Sequence, residues 1–328
     1  MRILSASEVE AALETEPLVE QLRQMFRTGA SVPTRHHHTI PMPGGQDATL
    51  LLMPAWQENR YMGIKTVTVF PSNGEKGLPS VMGSYALLSA RTGEPLAIMD
   101  GRMLTLRRTA CASALAAKYL ARDDASRLLM VGTGALAPHL ILAHARVRPI
   151  REVLVWGRDE AKAQRLAQTL DGRRLRVRAT ADLENAVRGA DVISCATLSK
   201  EPLIRGAWLK PGQHVDLVGG FTPEMREADD EAIDRARVFV DTYEGALKEA
   251  GDIVQPMASG VLTRQMIAGD LAELTQGRVA GRRFYNQITL FKSVGTAIED
   301  LAAAILIFEN TLETTPTEGH GHGGVLRG

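Results

Sequence analysis

A lysine stands where an apolar strand would bury it. In "GIKTVTVF", Lys65 interrupts a β-branched run, and a buried ammonium is costly unless a partner offsets its charge. Either an anionic ligand is that partner, or strand alternation turns Lys65 to the solvated face. Three further cations share this part of the chain: Arg35 in "SVPTRHHHTI", and Arg107 and Arg108 in "LTLRRTA". Arg108 precedes Thr109 and a run of small helix-forming residues, where a guanidinium can fork onto a carboxylate. Arg107, one residue away on a helix, must point elsewhere.

A second constellation begins at Leu128, in "LLMVGTGALAPHLILAHARV". Gly132, Gly134 and Ala137 form a G-x-G-x-x-A turn between a strand and a helix. The first glycine permits the sharp turn, the second lets backbone approach a pyrophosphate, and the small third residue lets helix pack on strand. The next strand ends in Trp156-Gly157-Arg158-Asp159. An NAD site presents an acid there to the ribose diol, whereas Gly157 has no carboxylate and Arg158 can pair with a 2′-phosphate. On that reading NADP is preferred and NAD remains usable. The alternative makes Arg158 a solvated loop cation and Asp159 only the cap of the next helix.

Other chemistry is disfavoured. His36, His37 and His38 lie on consecutive strand positions and cannot converge on one ion, and His320 and His322 fall in a glycine-rich tail, so no metal is assigned. Cys111 and Cys195 are the only cysteines and lack metal or redox spacing, which makes a reducing cytoplasm the expected setting. The 38 basic residues balance 38 acidic ones, so no long-range field draws nucleic acid or an anionic membrane. The amino terminus lacks a signal-peptide core, and no apolar run is long enough for a membrane span.

The elements that must position these residues change character along the 328-residue chain. Ser7 with Glu10 has capping-box spacing before "EVEAALE", and "LVEQLRQMFRTG" is a second amphipathic helix. "TLLLMPAW", "YMGIKTVTVF", "SVMGSYALLSA" and "LAIMDG" then read as strands of an antiparallel or mixed sheet, the last two joined through "RTGEP". From Arg127 strands and helices alternate, as in a doubly wound parallel sheet. The late helix "SVGTAIEDLAAAILIFENTL" can pack back on the first unit. The expected class is therefore α/β: a Rossmann-type domain at 122–285 plus a discontinuous α+β domain at 1–121 and 286–328, which the resemblance given next makes the substrate-binding and dimerisation domain. The tail "TPTEGHGHGGVLRG" is expected to be disordered.

Over nearly its whole length the chain resembles the ornithine cyclodeaminase and mu-crystallin family. The carrying stretches are "GLPSVMGSYALL", "LTLRRTACASALAAKYL", "VGTGALA", "DLVGGFTPEMREADDE", "DTYEGALKEAGD" and "TLFKSVGTAIEDLAAA". The resemblance implies a homodimer in which the first domain holds the substrate and the Rossmann domain holds a nicotinamide cofactor. By motif, Arg35, Lys65 and Arg108 match the family's substrate-side cations. Ser80, Arg108 and Thr109 match residues along the cofactor, Ala135 and Leu136 the pyrophosphate turn, and Gly157 and Arg158 the ribose end. Val218, Gly219 and Phe221 align near the nicotinamide, and Ser293 and Val294 with a segment closing over it.

One departure chooses between the family's chemistries. Its cyclodeaminases carry an aspartate where this chain has Phe221, and phenylalanine cannot exchange a proton. The resemblance thus implies a ketimine reductase. It would transfer hydride from NADPH, or NADH, to the C=N carbon of Δ1-pyrroline-2-carboxylate, giving L-proline, with Δ1-piperideine-2-carboxylate as second substrate and Lys65 as a catalytic group. The alternatives are ornithine cyclodeamination, alanine dehydrogenation, and a non-catalytic NADPH-binding role like that of a crystallin.

Overall fold

The computed structural model describes residues 1–43, 46–172 and 174–313. The expected tail disorder falls outside these residues, as do His320 and His322. The described chain builds two sheets. The first contains β1 (Arg2–Leu4), β2 (His36–Ile40), β3 (Ala48–Trp56), β4 (Tyr61–Val69), β5 (Val81–Ser89) and β6 (Pro95–Asp100), in the order β1-β6-β5-β4-β3-β2. Strands β2 to β6 pair antiparallel, with β5 and β6 joined across "RTGEP", while β1 adds to β6 in parallel. The sheet is therefore mixed, and β1 is the strand that three residues of sequence were too short to announce.

Three helices accompany it: α1 (Ala6–Ala12), α2 (Thr15–Thr28) and α3 (Gly101–Leu120). The capping box of α1 lies two residues earlier than the Ser7–Glu10 spacing suggested. Ser5 accepts from the Glu8 amide, and the Glu8 carboxylate accepts from Ser5 N at 2.8 Å. With β1 ending at Leu4, Ser5 is the junction residue, and Ser7 already lies inside the helix. Helix α3 is buried on nearly all sides, with Ala110, Ala112, Ser113, Ala114, Ala116 and Ala117 among its own buried residues. Such small side chains let both units approach it closely. It packs against α2 and β5 on one side and against the parallel sheet on the other.

The second sheet comprises β7 (Arg127–Val131), β8 (Glu152–Trp156), β9 (Arg176–Ala179), β10 (Val192–Cys195), β11 (His214–Leu217), β12 (Arg237–Val240), β13 (Gly269–Asp270) and β14 (Thr289–Lys292). All of its pairings are parallel, in the order β13-β12-β14-β11-β10-β7-β8-β9. Helices α4 (Ala137–Val147), α5 (Glu160–Leu170), α6 (Leu183–Gly189), α7 (Asp230–Arg235), α8 (Tyr243–Glu249), α9 (Gly251–Ala258) and α10 (Leu271–Thr275) connect these strands. The winding reverses between β7 and β10, so the crevice beyond their carboxyl ends is a topological switch point.

The boundary read at residue 286 needs correction. Strand β14 is inserted between β11 and β12 of the parallel sheet; its apolar residues are buried on both faces, which a strand-like run cannot reveal by periodicity. The chain returns to the first unit only after Lys292, through α11 (Ala297–Glu313), which lies on β3, β4, β5, α2 and α3. Among the described residues, no helix is long and apolar enough to cross a membrane.

Candidate active site

The face of the first sheet that meets α11 is the face that carries Lys65. In register, Lys65 stands opposite Met53 on β3 and Tyr85 on β5, both buried. Lys65 itself is 2% exposed, so the solvated-face reading does not hold. Its Nζ lies 2.6 Å from Asp300 Oδ2, and Arg108 Nε lies 2.9 Å from Asp300 Oδ1. Arg108 also donates from Nη1 to Glu299 Oε2. The two acids occupy the first turn of α11, where the helix dipole favours negative charge.

Electrostatics follow from this crowding. Burial drives the Lys65 ammonium down to about 8, against the pull of Asp300. Burial also works against Asp300, but Arg108 and Lys65 hold its carboxyl below the ordinary range. Glu299 is pushed up to about 7, chiefly by burial and against the attraction of Arg108. The cluster therefore contains one firm anion, one acid that titrates near neutrality, and an ammonium poised to release a proton.

Lys65 and Arg108 line a cavity of about 300 Å³ together with Arg35, Arg102 and Thr105. Its remaining wall is apolar, from Leu51, Met53, Val67, Val81 and Leu106; among the described residues, no carboxylate lines it. Arg35 reaches this cavity from the loop before β2, donating to Gly295 O at 2.8 Å while its Nε sits 3.3 Å from Glu249. Arg107 points away as its helical position requires, donating to Leu13 O. On β2 the His36 and His38 rings meet edge-on, the neighbours-but-one arrangement of an extended strand.

Arg108 and Thr105 also line a second cavity, of about 350 Å³. Thr109, Gly134, Ala135, Leu136, Val218, Gly219, Phe221, Ser293 and Val294 all border it. Gly134 and Thr197 continue into a third cavity bounded by Gly132, Gly157, Arg158, Asp159 and Lys162. One groove thus runs from the cations across the switch point to the end of β8. Gly132 has a φ of +119°, and a Cβ there would meet Ala196 O at 2.5 Å; only glycine makes this turn.

The groove fits a dinucleotide by its own geometry. The N-terminus of α4 faces it with no side-chain cap on Leu136, the place where a Rossmann-type turn receives a pyrophosphate. At the far end, Asp159 is committed to the start of α5, accepting from Lys162 N at 3.1 Å, while Arg158 and Lys162 border the cavity. Of the residues expected along the cofactor, Ser80 alone is not brought to the groove. Its carbonyl accepts from Phe70 N at 2.8 Å, just before the cavity residue Val81.

Several polar residues of the site escaped the sequence reading. Glu299 and Asp300 lay in a quoted block, but two acids in a helix's first turn are ordinary, and nothing in the sequence said which cations faced them. Thr197 borders the second cavity, and Glu227 and Lys292 lie behind its Gly219 backbone, near the ends of β10, β11 and β14. Burial pushes the Cys111 thiol up to about 12, so it is no nucleophile.

Fold and groove define a Rossmann-type α/β protein whose switch point opens onto a cationic cavity in a separate α+β unit. A family model described as "Ornithine cyclodeaminase/mu-crystallin family" matches residues 1–315, and the chain belongs to that family. It is 38% identical to a Δ1-pyrroline-2-carboxylate reductase of Colwellia psychrerythraea, over 94% of this chain and 99% of that one. Among solved structures it is similar to the Thermococcus litoralis Δ1-pyrroline-2-carboxylate reductase in complex with NADH and L-proline (TM-score 0.89, 34% identity, 95% of this chain and 98% of that one). It is likewise similar to an archaeal alanine dehydrogenase dimer with bound NAD (TM-score 0.87, 32% identity, 95% and 96% covered).

Proposed function

We propose that this chain is an NAD(P)H-dependent reductase of cyclic ketimine carboxylates, converting Δ1-pyrroline-2-carboxylate to L-proline and accepting Δ1-piperideine-2-carboxylate as a second substrate. The observation that carries this reading is the lining of the first cavity. Four cations, Arg35, Lys65, Arg102 and Arg108, and an apolar wall with no carboxylate among the described residues suit a ring bearing one carboxylate. A distal ammonium, as on ornithine, would find no counter-charge there. Phe221, at the second cavity, offers no proton for the deamination steps. The two pyrroline-2-carboxylate reductases named above support the same chemistry.

When bound, the nicotinamide supplies the hydride that the imine carbon accepts. Arg108, with Arg35, holds the substrate carboxylate, so that the ring lies toward the second cavity. Lys65 is protonated at neutral pH and donates toward the imine nitrogen, since a protonated imine is the better hydride acceptor. Asp300 keeps Lys65 and Arg108 in place from behind.

NADPH is the proposed preferred cofactor, with NADH usable, because Arg158 and Lys162 border the ribose end and the nearby acid is engaged in a helix cap. The proposal also makes the protein a cytoplasmic homodimer. Opposite the helix-covered face, the first sheet exposes Trp56 and Ile64, a patch that a second copy would cover. The deciding assay supplies NADPH or NADH with the five- and six-membered ketimines and follows cofactor oxidation and L-proline formation. No oxidation with either cofactor, or stoichiometric ammonia release from L-ornithine with NAD, would overturn the proposal.

A further inference from the structure

The second cavity rests on a buried ionic cluster for which the proposed reaction gives no role. Gly219 borders the cavity, and a Cβ on it would lie 2.4 Å from Glu227 Oε1. No side chain fits between the cavity's backbone and that carboxyl. Glu227 is fully buried. Its Oε1 accepts from Thr197 N at 2.7 Å and Thr197 Oγ1 at 2.8 Å, while its Oε2 has no hydrogen-bond partner. Lys292 lies beside them, donating to Gly219 O and standing 3.1 Å from Asp252 Oδ2. Asp252 in turn accepts from Glu227 N at 2.7 Å and Ala228 N at 3.0 Å.

Once Glu227 ionises, above about 7, the charges do not balance. Two carboxyls, Glu227 and Asp252, share one ammonium, Lys292, and all three are buried. A structural staple for three strand ends would be served as well by a neutral pair, because buried excess charge is costly. The excess is aimed at a place where charge changes: a nicotinamide ring is neutral when reduced and cationic when oxidised, and Thr197, Gly219 and Ser293 frame the cavity proposed to hold it.

We propose that Glu227, with Asp252 and Lys292, is a positioning and electrostatic device that favours the oxidised, cationic nicotinamide and so draws hydride transfer toward the imine. The inference rests on the nicotinamide reading of the groove. It needs only the differential affinity of one site for two forms of a ligand, acting through backbone and not through contact with substrate.

The test measures dissociation constants of NAD⁺ and NADH for the intact protein at pH 8.5. There Glu227 is ionised although burial, and then Asp252 against the pull of Lys292, set its carboxyl at about 7. The other groups facing it are the Asp252 carboxylate, the Lys292 ammonium and the Cys195 thiol, which burial keeps protonated. Glu227→Gln keeps an oxygen for Thr197 and removes the charge. It should weaken NAD⁺ relative to NADH on the order of fivefold, the scale expected of one charge several ångströms from a ring. Asp252→Asn should move the ratio in the same direction and serves if the first variant does not fold. A ratio within twofold of wild type in whichever variant binds, or equal loss of both forms, would overturn the inference while leaving the nicotinamide reading intact. A wild-type protein binding neither form would overturn both.

Discussion

The Lys65 ammonium and the Arg108 guanidinium lean on opposite oxygens of one carboxylate. Asp300 Oδ2 is 2.6 Å from Lys65 Nζ, and Asp300 Oδ1 is 2.9 Å from Arg108 Nε. A strand residue and a helix residue, 43 positions apart in sequence, are thereby fixed relative to each other by a residue nearly two hundred positions later. Without it, two buried cations would repel across a cavity that must hold both of them to one substrate.

Removing the proposed proton donor should abolish most turnover. Lys65→Ala is expected to lower kcat on the five-membered ketimine by about 10² to 10⁴, the usual span for a positioned acid. Steady-state rates with saturating cofactor check this. Near-normal turnover would return Lys65 to a purely structural part.

The rate should also fall on the alkaline side as Lys65 loses its proton near 8. Asp300 raises the Lys65 value, so Asp300→Asn should move that limb of the kcat/KM profile to lower pH. An unmoved limb would mean that another group donates the proton.

Cofactor choice is tested at the far end of the groove. Arg158→Ala should raise KM for NADPH about tenfold, as loss of a charge-assisted pair predicts, and leave KM for NADH nearly unchanged. Equal effects on both would indicate that Arg158 does not read the 2′-phosphate.

The stability contributed by Glu299 should decline as pH rises from about 4.5 to about 7. Glu299 has a folded value of about 7 against an ordinary 4.5, so between these values the folded chain keeps a proton that the unfolded chain releases. The contribution is full below the ordinary value and lost as pH rises through the folded one. His214, held down to about 3 by burial, gives the opposite slope below about 6.5, so the effect is read by difference: in thermal melts from pH 5 to 8 the Tm of the wild type should fall relative to that of Glu299→Gln. Glu227, also raised to about 7, contributes a slope of the same sign as Glu299.

The exposed side of the first sheet gives a last test. Ile64 is 41% exposed there, and Ile64→Glu would put a charge in the centre of the proposed dimer contact. Sedimentation should report dimer for the wild type and monomer for the variant; monomer for both would remove the dimer from the proposal.

Local sequence determined the elements and the two ends of the groove. Periodicity separated the strand-rich first unit from the alternating second one, and the Gly132 turn followed from a backbone angle that only glycine adopts with ease. The order of blocks also named the family and marked Lys65 and Arg108, because motifs are local. What the chain folds together over long separations was decided only in three dimensions. Lys65 could face water or protein until α11 was seen to cover its side of the sheet. β14 could belong to either unit, because an apolar run buried on both faces carries no directional pattern. Glu299, Asp300, Glu227 and Lys292 read as ordinary charges until burial removed water from them, and only then did each require a specific partner.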